Sequence, residues 1–562
     1  MQTFDWIVLI STLVAIVAYG TYKTRKNTGL DSYLKGDNEM RWGTIGLSIM
    51  ATQASAITFL STPCMAFDSG MQFLQFYIGL PIAMVLLSAF VLPNYYRLKV
   101  YTAYEFLESR FDLKTRMFTA MLFLVQRGLS AGITIYAPAI ILSSMLGWDL
   151  NTTCLIVGLL VILYTVSGGT RAVSLTQKLQ MAVIMLGLTV AFVILIFKLP
   201  EGVGFAGAVE TAGHMGKLEI INFNLDLDNR YTIWSGIFGG VFLFMSYFGT
   251  DQSQVQRYLG GKSLTESRMG LMFNGLLKIP MQFFILFIGV MVFVFFQYYR
   301  PPVFFNQALK TQIEQSEHRD LFARIEGEYN AVWGEKEALL VEWNETKSPE
   351  TWQQVMQLES TSKEIRQTYK DNIAVLFPDK ERKDTDYIFL TWVLNYLPVG
   401  MVGLLMAVIL SAAMSSTSGE LNALASTTVV DFYKRTMRQD ASEKHYLIAS
   451  RLFTVFWGFM ALLFALYASL FENLIEAVNI LGSLFYGTVL GIFLMAFFIR
   501  YVKSEAVFIA AILSQTAVLG FFFSYEKSIG FLWYNFIGCA LVVALGISLQ
   551  FVLPKFLTEK ME

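Results

Sequence analysis

About thirteen stretches of roughly 20 apolar residues divide this chain of 562 residues, and no other feature restricts its fold as strongly. A helix needs about 20 predominantly apolar residues to cross the ~30 Å hydrocarbon core of a bilayer. Only helices and closed barrels satisfy their own backbone polar groups there. The stretches fall at 4–22, 43–67, 71–93, 117–146, 151–167, 173–198, 232–256, 270–298, 396–425, 447–470, 474–499, 504–524 and 529–552. Hydrophobic residues make up 55% of the sequence and charged residues 15%, which suits a polytopic membrane protein and not a soluble multi-domain one. The expected class is all-α and integral to the lipid bilayer, with about 13 transmembrane helices.

An odd number of spans puts the two termini on opposite sides. Basic residues at Lys23–Lys26, Arg97–Lys99, Arg110–Arg116, Arg171–Lys178, Arg257–Arg268, Lys434–Arg438 and Arg500–Lys503 then share one side, and the side richer in Lys and Arg is cytoplasmic. The expectation is a multi-pass protein of a cell or inner membrane, N-terminus outside and C-terminus cytoplasmic. The first apolar run lacks a basic start and does not read as a cleavable signal peptide.

Residues 300–386 interrupt the pattern with Glu, Lys, Gln and Arg. Ser348-Pro349-Glu350 reads as an N-cap with Pro in the first helical position. Leu321, Ile325, Leu339 and Trp343 recur at helical spacing. The segment reads as a charged helical hairpin on the extracytoplasmic side, open to an unknown partner there. It separates helices 1–8 (1–299) from helices 9–13 (387–562).

Other classes find little support. The net charge of -1 gives no basic footprint for nucleic acid. Cys64, Cys154 and Cys539 are isolated in apolar runs, and His214, His318 and His445 are scattered, so neither a disulfide framework nor a zinc spacing emerges. No nucleophile–base pairing or phosphate loop is present in the sequence, and an enzyme is not expected.

Polar residues inside the apolar runs are the candidates for function. In Leu410–Gly419, Ala412, Ser415 and Ser416 stand at i, i+3 and i+4, on one helical face. Small residues of this kind line close helix contacts, and clustered hydroxyls also suit a hard cation that takes oxygen ligands; the pattern alone leaves both readings open. The second run carries Gln53, Ser55 and Thr58, too polar for a face toward lipid, and unwinding near Gln53–Ser55 would free carbonyls beside a cavity. In the seventh run Gly249 follows Tyr247 and precedes Asp251 and Arg257, which read as a polar turn at the cytoplasmic end. Arg127, Lys278, Glu420 and Glu476 are charges within spans, which usually face a partner or a cavity. Arg127 suits either a substrate carboxylate or a snorkelling position at the interface.

Five segments in order, Ala51-Thr-Gln-Ala-Ser-Ala-Ile-Thr-Phe-Leu60, Val166-Ser-Gly-Gly-Thr-Arg-Ala-Val173, Phe248-Gly-Thr-Asp-Gln-Ser-Gln-Val-Gln-Arg-Tyr258, Leu397-Pro-Val-Gly400 and Ala412–Asn422 with Asp431-Phe-Tyr-Lys434, resemble the sodium/solute symporter family, the group of the sodium–glucose, iodide, proline and sialic acid transporters. The resemblance spans nearly the whole chain outside 300–386. It implies a five-plus-five inverted-repeat core of the leucine-transporter type in spans two to eleven, with ion and solute near the midplane. It implies Na+ as the co-transported ion, held by Ala51, Ala54, Ala412, Ser415 and Ser416. A second sodium site of some members needs an Asp and two Ser that fall here on Gln177, Ser418 and Gly419, so one sodium is expected. Solute positions implied by the family fall on Gln53, Thr58, Tyr77, Phe244, Tyr247, Lys278 and Asn479, beside Ser55 and Arg127. The function implied is sodium-coupled import of a small polar solute, a sugar or an acidic sugar such as sialic acid, by alternating access. The alternatives are a sodium- or proton-coupled organic acid or amino acid symporter, and a membrane sensor that keeps a transporter fold.

Overall fold

The computed structural model describes residues 2–24, 39–378, 382, 384–467, 474–525 and 529–559. Of the first basic cluster, Arg25 and Lys26 lie outside the described residues. Among those described, nine helices are long and apolar enough to cross a bilayer, and a bent pair makes a tenth. Three shorter apolar helices, Thr3–Ile16, Leu150–Leu163 and Ser235–Gly249, stand at the remaining expected stretches.

The chain begins with α1 (Thr3–Thr24). Asp5, buried in its first turn, accepts hydrogen bonds from the backbone N–H groups of Gly400 at 2.6 Å and Gly403 at 3.2 Å, placing a carboxylate at the start of a distant helix where orphan N–H groups favour an anion. The bent pair follows as α2 (Trp42–Gln53) and α3 (Ala56–Ser69), with axes 60° apart. Next come α4 (Gln72–Leu98) and α5 (Leu113–Leu146). The Asp112 side chain caps α5 by accepting from Thr115 N–H at 2.8 Å.

Helix α6 (Leu150–Phe197) follows. Its described apolar segments, Leu150–Leu163 and Thr176–Phe197, stand at the two spans 151–167 and 173–198 expected from the sequence. Side chains of residues 167–175, within the Val166–Val173 motif, lie outside the described residues.

The order continues with α7 (Gly204–His214), a second broken element formed by α8 (Ser235–Gly249) and α9 (Gln252–Leu259), and α10 (Leu264–Tyr298). Helix α10 packs on both halves of the bent pair. At Gly289 its backbone meets the Pro63 carbonyl so closely that a Cβ would collide with it, the small-residue contact by which membrane helices approach.

The insertion is a helical hairpin, as its spacing predicts. It comprises α11 (Gln307–Glu314), α12 (Arg319–Thr346) and α13 (Pro349–Leu376), with Ser348 capping α13 by accepting from Thr351 N–H at 3.4 Å. The hairpin is docked, not free. Lys336 donates to Gln297 at the end of α10 at 2.9 Å and to Glu359 of α13 at 2.8 Å, while Trp343 and Trp352 enclose the His214 ring of α7 at 5.2 Å each. Asp384, fully buried, accepts from Arg366 at 2.9 Å and Phe305 N–H at 2.9 Å and pairs with Lys370 at 2.5 Å. The bundle closes with α14 (Ile388–Tyr396), α15 (Met401–Met437), α16 (Glu443–Ala465), α17 (Leu474–Phe498), α18 (Ser504–Tyr525) and α19 (Trp533–Glu559).

Burial alone would push the Asp384 carboxyl up, but Arg366 and Lys370 outweigh it and hold the group below its ordinary value. A carboxylate lowered in this way stabilises the fold above its unfolded value of about 3.9 and loses that contribution as pH falls through its folded value. Asp384→Asn leaves two cations without their shared partner and should cost about 3 kcal/mol. Hydrogen exchange of α13 should rise sharply in that variant, and in the parent only below about pH 4.

Candidate ion site and solute cavity

The break between α2 and α3 is a local backbone event. Ala54 ends α2 with ψ 73° and Ser55 is extended with ψ 176°. The chain then turns back into helix, with Thr58 N–H on the Ser55 carbonyl at 3.0 Å and the Thr58 hydroxyl on the Gln53 carbonyl at 3.4 Å. A helix that stops inside the bundle leaves its last carbonyls without the partners a further turn would supply. Ala51 and Ala54 sit in that last turn.

Helix α15 packs against both halves of the break, and Ala412, Ser415 and Ser416 are all buried on it. The Ser416 hydroxyl donates to the Ala412 carbonyl at 3.0 Å. The Ser415 hydroxyl is buried and has no hydrogen-bond partner, a condition that costs about 1–3 kcal/mol unless a ligand relieves it. Carbonyl and hydroxyl oxygens without a carboxylate fit a monovalent hard cation such as sodium. Among the described residues no group of His, Cys, Asp and Glu is placed to hold a metal ion.

The positions of the second ion site are filled differently. Gln177 of α6 accepts from the Ser48 hydroxyl at 2.5 Å and donates to Thr52 at 3.0 Å, so a neutral amide ties α6 to α2. A Cβ on Gly419 would meet the terminal guanidinium nitrogen of Arg257 and displace it, and glycine itself offers no hydroxyl there.

A cavity lies beside the break. Eight of the expected solute residues line it: Gln53, Ser55, Thr58, Tyr77, Arg127, Phe244, Tyr247 and Asn479. Lys278 is not among the residues that line the cavity. Its side chain is fully buried in α10, with the ammonium 5.9 Å from the Tyr77 ring centroid and no hydrogen-bond partner. Phe244 lines the cavity and lies 5.6 Å from Tyr77. Tyr247 accepts from Gln254 at 2.6 Å across the second break.

Arg127 is only 2% exposed. Its Nε and Nη2 both donate to Asp251, Nη2 also to the Tyr486 hydroxyl at 2.6 Å, and Nη1 to Glu420 at 3.1 Å. Asp251 and Arg257 are fully buried too, so the polar turn is packed inside the protein. Asp251 caps α9 by accepting from Ser253 N–H at 2.9 Å while it holds Arg127. Four separate spans supply Arg127, Asp251, Glu420 and Tyr486. The rule that intramembrane charges seek each other was the signal for this cluster, but it does not say which pairs meet. Glu476 instead sits at the start of α17 and pairs with Arg230 at 2.6 Å.

Removing one member of a buried charge cluster strands the others, at a cost of about 3–5 kcal/mol. Arg127→Ala should therefore lower the unfolding temperature strongly in detergent. Adding Glu420→Gln to it should recover part of the loss, a non-additivity expected only of residues in one network.

The family model of the sodium:solute symporter family matches residues 33–318 and 366–514. It passes over 319–365, the length of α12 and the first half of α13. Sodium-coupled monocarboxylate transporter 2 of Homo sapiens is 31% identical over 274 residues, 48% of this chain and 44% of that protein; the chain thus matches less than half the length of the first curated relatives. The sodium/sialic acid symporter of Proteus mirabilis is 24% identical over 559 residues, 96% of this chain and 94% of that protein. A solved structure of the substrate-bound outward-open state of a Na+-coupled sialic acid symporter superposes with a TM-score of 0.75 at 23% identity, covering 98% of each chain, and so shares the fold. The chain belongs to the sodium:solute symporter family.

Proposed function

We propose that this protein is a sodium-coupled secondary active symporter that imports a small polar solute by alternating access. The observation that carries the reading is the unpartnered, buried Ser415 hydroxyl on a helix packed against the α2/α3 break, with the cavity wall starting at the same break, at Thr52, Gln53 and Ser55. Sodium bound by Ala51, Ala54, Ala412, Ser415 and Ser416 would join the broken helix to α15 and fix the geometry of Gln53, Ser55 and Thr58 for the solute. The two ligands then stabilise one another, which is the coupling free energy of symport. Each sodium that enters contributes about 2.3 kcal/mol per 100 mV of membrane potential. The N-terminus and the insertion lie outside in this reading and the C-terminus in the cytoplasm, on the Lys and Arg bias of the loops.

One sodium per solute is supported by the amide of Gln177 and by the Arg257 guanidinium packed on Gly419. A sugar-like ring is supported by the aromatic wall of Tyr77, Phe244 and Tyr247 and by the likeness to the Proteus mirabilis symporter. An acidic sugar requires Arg127 to exchange one of its carboxylates for the solute's. Ser415→Ala and Ser416→Ala should each raise the sodium concentration for half-maximal uptake about tenfold, the equivalent of one lost ligand of about 1.4 kcal/mol, with expression unchanged. Sodium affinity like the parent's in both variants would move the ion elsewhere. Reversal potentials in proteoliposomes should give one sodium per solute, and a value of two would contradict the reading of Gln177 and Gly419.

A further inference from the structure

The charged wall of the cavity does not balance. Two carboxylates, Asp251 and Glu420, meet one guanidinium, and the geometry shows which is in surplus. Asp251 is satisfied: one oxygen accepts from Ser253 N–H at 2.9 Å and from the Ser253 hydroxyl at 2.6 Å, and the other takes Arg127 and the Tyr486 hydroxyl at 2.8 Å. All three nitrogens of Arg127 are engaged. Glu420 gives one oxygen to Arg127 at 3.1 Å, and its Oε2 is buried with no partner although the residue is only 7% exposed and lines the cavity. Thr134 shares that wall and its hydroxyl lies against the Glu420 carboxylate, but that hydroxyl donates its proton to the Ser130 carbonyl at 3.1 Å.

A second acceptor is in the same condition. The Gln53 Oε1 is buried, unpartnered and on the same cavity. Arg127 already lies 5.4 Å from the Tyr247 ring centroid, and Phe76, Tyr77 and Phe244 add ring surface that attracts cations. Lys278, the other buried cation nearby, stands outside the lining over Tyr77. The cavity thus presents two buried acceptors, one of them an ionisable carboxylate, among aromatic rings, with no free donor cation.

We propose that the cavity recognises a protonated amino group, taken by Glu420 Oε2 and Gln53 Oε1, so that the solute is an amine-bearing small molecule, an amino sugar or an amino acid. This rests on the symporter reading and names its substrate class. A buried carboxylate kept ionised needs a cation to face it, and the solute's ammonium supplies one in the loaded state. Arg127 is then a positioning residue that orients Glu420, not the receptor of a solute carboxylate.

The test uses the purified full chain in sodium buffer and two matched pairs of probes that differ by amine against hydroxyl: D-glucosamine with D-glucose, and L-alanine with L-lactate. Thermal stabilisation and competition should show the amine member of one pair binding at least about tenfold more tightly than its hydroxyl twin, as a charge-assisted hydrogen bond predicts. The pair that responds tells an amino sugar from an amino acid. Glu420→Gln, which keeps the shape and removes the charge, should abolish the preference, and Glu420→Asp should keep part of it. Equal or tighter binding of the hydroxyl member, failure of both amines, or an unchanged preference in Glu420→Gln overturns the inference. Sodium-dependent binding of D-glucose or L-lactate without amine preference would sink this inference and leave symport standing. Amine binding indifferent to sodium would sink symport and leave the amine site.

Discussion

A polar backbone broken in the middle of a membrane has to be satisfied by something other than water or lipid, and the rest of this structure is arranged around that requirement. The break at Ala54 and Ser55 exposes carbonyls on one side and sets Gln53 and Thr58 on the other. Helix α15 answers the first with buried hydroxyls, and the cavity uses the second. Helix α10 holds both halves in place through glycine contacts such as Gly289 on Pro63. The second break, between α8 and α9, is bridged by Gln254 and Tyr247 and anchored by Asp251. Two broken helices held between continuous ones are the arrangement on which the proposed alternating access would rest.

The Arg127 cluster gives the cavity its electrical character. In a low-dielectric interior charges are tolerated only when paired, so the cluster links α5, α9, α15 and α17 with an energy that depends on all its members. The same dependence makes it sensitive to what enters: a ligand that pairs with Glu420 changes the balance for Arg127 and for the α9 cap. In the proposed symport, solute occupancy and the conformation of the second break would be joined through Asp251, which holds both Arg127 and the start of α9.

What was legible in the sequence follows the physics that fixed it. The apolar stretches were readable because contact with lipid depends on composition alone, and the α2/α3 break because Gln53, Ser55 and Thr58 have no place facing lipid. The Ser348 cap and the hairpin were readable because capping is local. Pairings across the fold were not. Arg127 lies 124 residues from Asp251 and 293 from Glu420, and no local pattern says that they meet; the same holds for Asp384 with Arg366 and for Gln177 with Thr52. Lys278 was placed near the solute by resemblance alone; its ammonium lies 5.9 Å from the ring centroid of the cavity residue Tyr77.

The central claim is that sodium joins the broken helix to α15. The three native cysteines are buried, so spin labels can be placed on Gly43, where a side chain meets open space, and on exposed Gln439 beyond the end of α15. Pulsed-dipolar distance distributions between them should narrow to one population with sodium but not with potassium, and should stay broad in Ser415→Ala with either ion. A distribution that ignores sodium in the parent protein, or that narrows equally in Ser415→Ala, would contradict the account.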